Sequence, residues 1–349
     1  MITIDGSHGE GGGQILRTAL SLAAITKTPV TIENVRRGRK KPGLQPQHLT
    51  GVRAVASICR GTLNGDSLFS DKLIFEPGDI NAGIYDYDVS QIAPSAGSAT
   101  MVLQQVLPVL LFAPDTSYIT VVGGTNVPLS PSAEFIKYCF LPTIARTGVN
   151  CQLELQKWGF FPIGGGTVKA TVHPIGNPLN ALSSAEKGQL KKVTGYGIVA
   201  NLPHSVAERE IHQAGKLLAE AELASLSHFE IVSVPSPGTG NAFFLLAEYD
   251  SGVQGFSSIG ELGKPAEKVA AEAVAEFLAF NRSPAAMEKH LGDQLLPYLA
   301  LAKGRSTLQV SELSPHIATN IWAIEQLLPV KFEVNGNSIS VEGMGKARI

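Results

Sequence analysis

The spacing of apolar residues changes period along the chain, and each change marks an element. Residues 2–5 alternate as a short strand. From 14 to 27, Ile15, Ala19 and Leu22 and then Leu16, Leu20 and Ala23 fall on adjoining rows of one helix. "PVTIENV" reads as a strand, 45–60 as a helix with Leu49, Val52, Val55 and Ala56 inward, and "KLIFEPG" as a strand and turn. The alternation then resumes. "SAGSATMVLQQVLPVLLF" is a helix opened by small residues, and "SYITVVGGT" is a strand. "SPSAEFIKYCFLPTIARTG" has a serine cap, a glutamate in its first turn and Gly148 past its end. "CQLELQKWGFFPIGGGTVKATVHP" gives two strands around a triple glycine. A β-α-β-α-β-β order thus occurs roughly twice before residue 175, the mark of an α+β chain with internal repetition.

From 185 to 280 the pattern differs. A polar run, "LSSAEKGQLKK", leads to a strand at 195–201, a helix at 204–222, strands at 228–234 and 242–249, and a long helix from Pro265 to Phe280. Proline suits the first helical position. This stretch reads as a separate α+β module. Beyond it, 284–303 and 313–328 read as helices, and "VKFEVNGNSISVEG" as a hairpin turning at Asn335-Gly336.

The chain has 349 residues, 44% of them hydrophobic, which is enough for a large core and roughly two domains. Charged residues make up 17% and the net charge is −2, so any nucleic-acid-binding surface must be local. Cys59, Cys139 and Cys151 show no metal-knuckle spacing and fit a reducing compartment. No signal peptide and no membrane span are visible, and the expected location is the cytoplasm.

"GSHGEGGGQILRTAL" is neither a P-loop, lacking the Lys-Ser/Thr pair, nor a dinucleotide fingerprint, lacking its last glycine. A glycine turn feeding a helix still suits an anion, because free N–H groups and the helix dipole point there. A tight strand-to-helix turn is the other reading. Nearby, residues 34–60 carry Arg36, Arg37, Arg39, Lys40, Lys41, Arg53 and Arg60 and no acid, and "RRGRKKPG" is a loop by its glycine and proline. Arginines there could grip phosphates bidentately, or the run could be a solvated face.

His316 stands apart from the other histidines. In "SPHIATNIWAIEQLLP", Ser314 is the expected N-cap and Pro315 the first helical residue, so His316 lies in the first turn beside an apolar stripe. A neutral ring there could act as a nucleophile, and the helix dipole would favour a phosphate attached to it; a capping or packed histidine is the plainer alternative. In "GDQLLPYLAL", Asp293 could hold a divalent ion through its hard oxygens or be a surface carboxylate.

Together "DGSHGEGGGQILRTALSL", "RRGRKKPGLQPQHL", "SAGSATMVLQQVLP", "GGTNVPLSPSAEFI", "GFFPIGGG", "GDQLLPYLALA" and "SPHIATNIWAIEQLLP" resemble the RNA 3′-terminal phosphate cyclases, in that family's order and over nearly the whole chain. The resemblance implies a core of repeated βαβαββ units, as in EPSP synthase, formed by 1–184 and 281–349, with 185–280 as an inserted α+β domain. It implies ATP and an RNA 3′-phosphate as substrates, Mg²⁺ or Mn²⁺ as cofactor, and a covalent histidinyl-AMP on His316. It places ATP and phosphate contacts on Gly11, Gly12, Gly13, Glu10, Gln14, Arg17, Arg36, Arg39, Gln47 and His48. Gln104, Pro131, Phe135, His290 and Gln294 would form the nucleotide pocket, with Pro131 packed on adenine and His290 standing where the family commonly has a stacking aromatic. Asp293 and Glu10 would hold the metal. A homodimer is allowed. A cyclase-like protein without catalysis would lack the histidine; another transferase on the same fold would need none; a pure RNA-binding module would show more positive charge.

Overall fold

Strands and helices recur in one order along the chain, and the recurrence arranges the chemistry. The protein is described by a computed structural model covering residues 1–348. The first unit comprises β1 (Ile2–Asp5), α1 (Gly13–Thr26), β2 (Val30–Glu33), α2 (Pro46–Cys59), β3 (Thr62–Asn64) and β4 (Leu73–Glu76), with strands ordered β1-β2-β4-β3. β1 runs parallel to β2, and β4 antiparallel to both β2 and β3. The second unit repeats this with β5 (Ile84–Asp88), α3 (Ala99–Leu110), β6 (Ser117–Gly123), a helical run of α4 (Ala133–Phe135), a π-helical turn and α5 (Leu141–Ala145), then β7 (Asn150–Lys157) and β8 (Gly166–His173), ordered β5-β6-β8-β7.

A third unit follows, which the sequence reading did not separate. It opens with β9 (Ser183–Ser184) and is interrupted by β10 (Leu190–Ala200), α6 (His204–Glu220), β11 (Ser227–Ser233), β12 (Gly240–Tyr249), β13 (Gly252–Ile259) and α7 (Ala266–Arg282). It resumes with α8 (Lys289–Leu301), β14 (Lys303–Gln309), α9 (Pro315–Leu327), β15 (Phe332–Asn335) and β16 (Ser338–Met344), ordered β9-β14-β16-β15. The helix expected over 284–303 is shorter, because Lys303 already opens β14.

α1 lies at the centre and packs against α2, α3 and α9. Its Ile15, Leu16, Leu20 and Leu22 are fully buried, each contributing about 2 kcal/mol through removal from water. The interrupting segment has its own apolar cluster, in which Phe243, Leu245 and Phe256 of its sheet meet Leu218 of α6 and Val269 and Phe277 of α7. On the other face of that sheet, Tyr196 and Phe244 approach Tyr138 of the second unit. Among the described residues no helix is long and apolar enough to cross a membrane.

Candidate functional site

The first helix starts without a side-chain cap: Gly12 is the N-cap and has none to offer. What occupies the space of the missing side chains explains the glycines. A Cβ on Gly12 would sit 2.6 Å from a guanidinium nitrogen of Arg39, and one on Gly13 would sit 2.5 Å from Nε2 of His48 and 3.2 Å from Arg17. Gly11, at φ +56°, packs on Gly38, whose N–H donates to the Gly11 carbonyl at 3.2 Å. The bare backbone is therefore a cradle for basic side chains, and the 36–41 loop lies across it.

Within that loop, Arg36 donates to the carbonyls of Lys41 and Gly43 at 2.8 Å, pinning its far end. Arg39 reaches back to Glu10 at 3.4 Å. Burial, reinforced by Arg39 and Arg36, lowers Arg17 to about 10, so it remains a cation at neutral pH. Burial and then the repulsion of Arg36, Arg17 and Arg39 push His48 well below its ordinary value, leaving a neutral ring. Three guanidiniums beside a helix N-terminus make an anion site.

His316 enters this site from the third unit. Ser314 caps α9 by accepting from Ile317 N at 3.3 Å, and Pro315 occupies the first turn. Nδ1 of His316 lies 2.8 Å from Oε1 of Gln14 and 2.6 Å from Oε2 of Glu10. Gln14 in turn donates from Nε2 to Oδ1 of Asp293 on α8 at 2.5 Å. Asn320 also donates to that oxygen, at 3.1 Å, and accepts from Thr18 at 2.7 Å. Burial pushes the Asp293 carboxyl up, while His316, the amides of Gln14 and Asn320, and Arg17 pull it back. A carboxylate oxygen that accepts from two amides fixes the Gln14 side chain with its NH₂ toward Asp293 and its oxygen toward His316. His316 must then present Nδ1–H, and the lone pair sits on Nε2.

A cavity of about 70 Å³ joins Gln14, Arg17 and Asp293 to Gln104 of α3 and Gln294 of α8. Gln104 donates to Gln294 across it. Gln47, at the start of α2, accepts from Ser98 N at 2.7 Å and so ties that helix to the start of α3. A larger open groove, about 580 Å³, lies along α2 beyond Gln47, between Leu49, Arg53, Tyr87 and Asp88; none of the expected site residues line it.

Three expected residues do not line the cavity of about 70 Å³. Phe135 is 6% exposed and its ring packs where a Cβ on Gly255 would be 3.1 Å away, so most of it lies in the core. Pro131 is partly exposed, its carbonyl held by Thr100 at 2.7 Å. His290 is exposed on α8, 3.9 Å from Glu288. Asp293, expected on a metal, has Oδ1 occupied by two amide donors. Among the described residues no three His, Cys, Asp or Glu side chains converge as a metal cage. Glu10 Oε2 is buried, with His316 Nδ1 2.6 Å away and no hydrogen bond of good geometry; Glu10 would hold a hard cation together with phosphate oxygens and water.

Asn320, Thr18 and Thr319 were not foreseen. Asn320 is four residues after His316 and Thr18 four after Gln14, so each shares a helix face with a residue that was. Thr319 accepts from Glu10 N at 3.3 Å.

The constellation draws on α1 and the loops beside it, on α3, and on α8 and α9, so that each of the three units contributes. The sequence model of the RNA 3′-terminal phosphate cyclase family matches residues 8–334. A Methylococcus capsulatus protein named RNA 3′-terminal phosphate cyclase is 42% identical over all of this chain and 96% of its own length. Proteins of the same name from Nostoc punctiforme and Pyrobaculum neutrophilum are 44% identical, covering 96% of each chain, and 39% identical, covering 99% of each. With a family match across most of its length and relatives aligned end to end, the chain belongs to the RNA 3′-terminal phosphate cyclase family.

Proposed function

We propose that this protein converts an RNA 3′-phosphate end into a 2′,3′-cyclic phosphate using ATP, with Nε2 of His316 as nucleophile. The Asp293–Gln14–His316 chain of hydrogen bonds carries the reading, because it leaves the Nε2 lone pair free beside an arginine-lined anion site. In the first step Nε2 bonds to the α-phosphorus of ATP and the bond to pyrophosphate breaks. The ring becomes an imidazolium, and Glu10 Oε2, 2.6 Å from Nδ1, lies where its positive charge develops. Arg17 and Arg39 face the non-bridging oxygens.

In the second step an oxygen of the RNA 3′-phosphate attacks the same phosphorus, the N–P bond breaks, and the neutral ring returns. The neighbouring 2′-hydroxyl then attacks the 3′-phosphorus, loses its proton to solvent and expels AMP. Mg²⁺ or Mn²⁺, held through Glu10 and phosphate oxygens, would supply further neutralisation of phosphate charge. Asp293 orients Gln14.

The test is a 3′-phosphorylated oligoribonucleotide incubated with ATP and Mg²⁺. The expected product has lost the mass of one water, resists phosphatase, and forms with equal AMP and pyrophosphate. An unchanged RNA end with folded, ATP-binding protein would contradict the reading.

A further inference from the structure

The 36–41 loop divides its cations into two sets. Arg36 and Arg39 turn inward, one onto loop carbonyls and the other onto Glu10 and the backbone at Gly12. Arg37, Lys40 and Lys41 are exposed, and none makes an ion pair or side-chain hydrogen bond among the described residues. Some cations elsewhere do meet a carboxylate, as Lys72 meets Glu33 and Arg305 meets Glu333, but three cations of one loop without one are gathered here. The loop has no acid to offer, since 34–60 contains none. Its shape is also fixed, by Arg37 N to Asn34 O, Arg39 N to Arg36 O, Gly43 N to Val35 O, and the packing of Gly38 on Gly11. Three exposed cations without a carboxylate partner are thus carried by a formed loop that packs on the glycine turn through Gly38 and Arg39.

We propose that this outer set binds the phosphodiester backbone of single-stranded RNA leading to the reacting end, while the inner arginines serve the reacting phosphates. The proposal rests on RNA being the substrate. Reactive-end chemistry needs only a terminal nucleotide, and a chain of phosphates beyond it needs positive charge near the entrance. In a protein of net charge −2, this loop supplies that charge locally.

The test replaces Arg37, Lys40 and Lys41 by glutamine together in the full-length protein, with Lys216, Lys268 and Lys303, exposed elsewhere, replaced likewise as a charge-matched control. Binding of a 3′-phosphorylated single-stranded RNA is followed by fluorescence anisotropy across salt. The loop variant should bind about tenfold more weakly near 0.1 M salt, and its slope of log K against log salt should be shallower by about 2, near 0.7 for each lost contact to a single strand. A dinucleotide bearing the 3′-phosphate, and self-adenylylation by ATP alone, should be unaffected. An unchanged slope, an equal loss in the control, or a parallel fall in self-adenylylation would each overturn the proposal. Failure of the cyclase reading itself shows differently, as a wild-type protein that takes no label from ATP.

Discussion

The chain contains two triple glycines, and they do different things. Gly11–Gly13 lead into α1; Gly11 packs on the backbone of Gly38, and the space the side chains of Gly12 and Gly13 would fill holds Arg39, His48 and Arg17. Gly164–Gly166 lead into β8, which Gly166 opens, and there the same space is filled by other backbone and small residues: Ala96 against Gly164, Pro237 against Gly165, and Gly159 with Thr125 against Gly166. One lets titratable groups touch the main chain at the start of a helix; the other lets two loops and a strand lie close. A glycine cluster becomes chemical when charged side chains, and not carbonyls and prolines, come to meet it.

Alanine at these two places should separate the roles most strongly. Gly13→Ala displaces His48 and Arg17, and self-adenylylation is expected to fall at least about a hundredfold while the melting temperature moves little. Gly166→Ala puts a Cβ 2.4 Å from Gly159 N, where only backbone can give way, so a loss of about 2 kcal/mol or more is expected, with the folded fraction keeping its activity. Thermal melts beside labelling rates decide it; equal loss of activity per folded molecule in both variants would erase the distinction.

Gln14 sharpens it from within the first region. Gln14→Leu removes both an acceptor for Nδ1–H and the donor to Asp293. Glu10 Oε2, 2.6 Å from Nδ1, remains as an acceptor, but the ring loses the link that ties it to Asp293, and the adenylylation rate should fall roughly tenfold with little change in ATP affinity. A loss confined to ATP affinity would mean that Gln14 binds nucleotide and does not orient the ring.

A smaller effect probes the segment on which the second triple glycine leans. Gly240 presses on Phe160, and its neighbour Asn241 donates to Glu210, which is fully buried with Oε2 unpartnered. Burial raises this carboxyl to about 7. The folded state therefore holds a proton that the unfolded state releases between about pH 4.5 and 7, and stability falls as pH rises through that window. Glu210→Gln should abolish that fall, on the order of 3 kcal/mol by pH 8, as followed by denaturant titration at pH 5 and pH 8. Identical pH dependence in the two proteins would show that the buried charge is relieved by other means.

Much of this was legible from the residues, for physical reasons. α1, α2 and α9 announce themselves by apolar spacing and by Ser314 and Pro315, whereas the grouping of His316 with Gln14, Arg17 and His48 was implied only by the family resemblance of motifs far apart in the chain. The third unit was hidden because β9 has two residues and β14, "KGRSTLQ", begins two residues after α8 ends, with charged and small residues in place of a β-branched run. Asn320 was hidden because an asparagine inside an apolar helix carries no mark of its partner until α8 is placed beside it. The burial of Phe135 was not legible, because sequence gives the cap at Ser132 but not the direction its helix faces.

The central claim is a nucleophilic Nε2 on His316, and the most direct measurement is transfer of label from α-³²P-ATP to the protein, followed by peptide mapping. The account predicts one acid-labile, base-stable adenylate on His316, bonded through Nε2 and missing from His316→Ala. A folded, ATP-binding protein that takes no label, or a label that persists in His316→Ala, would contradict it.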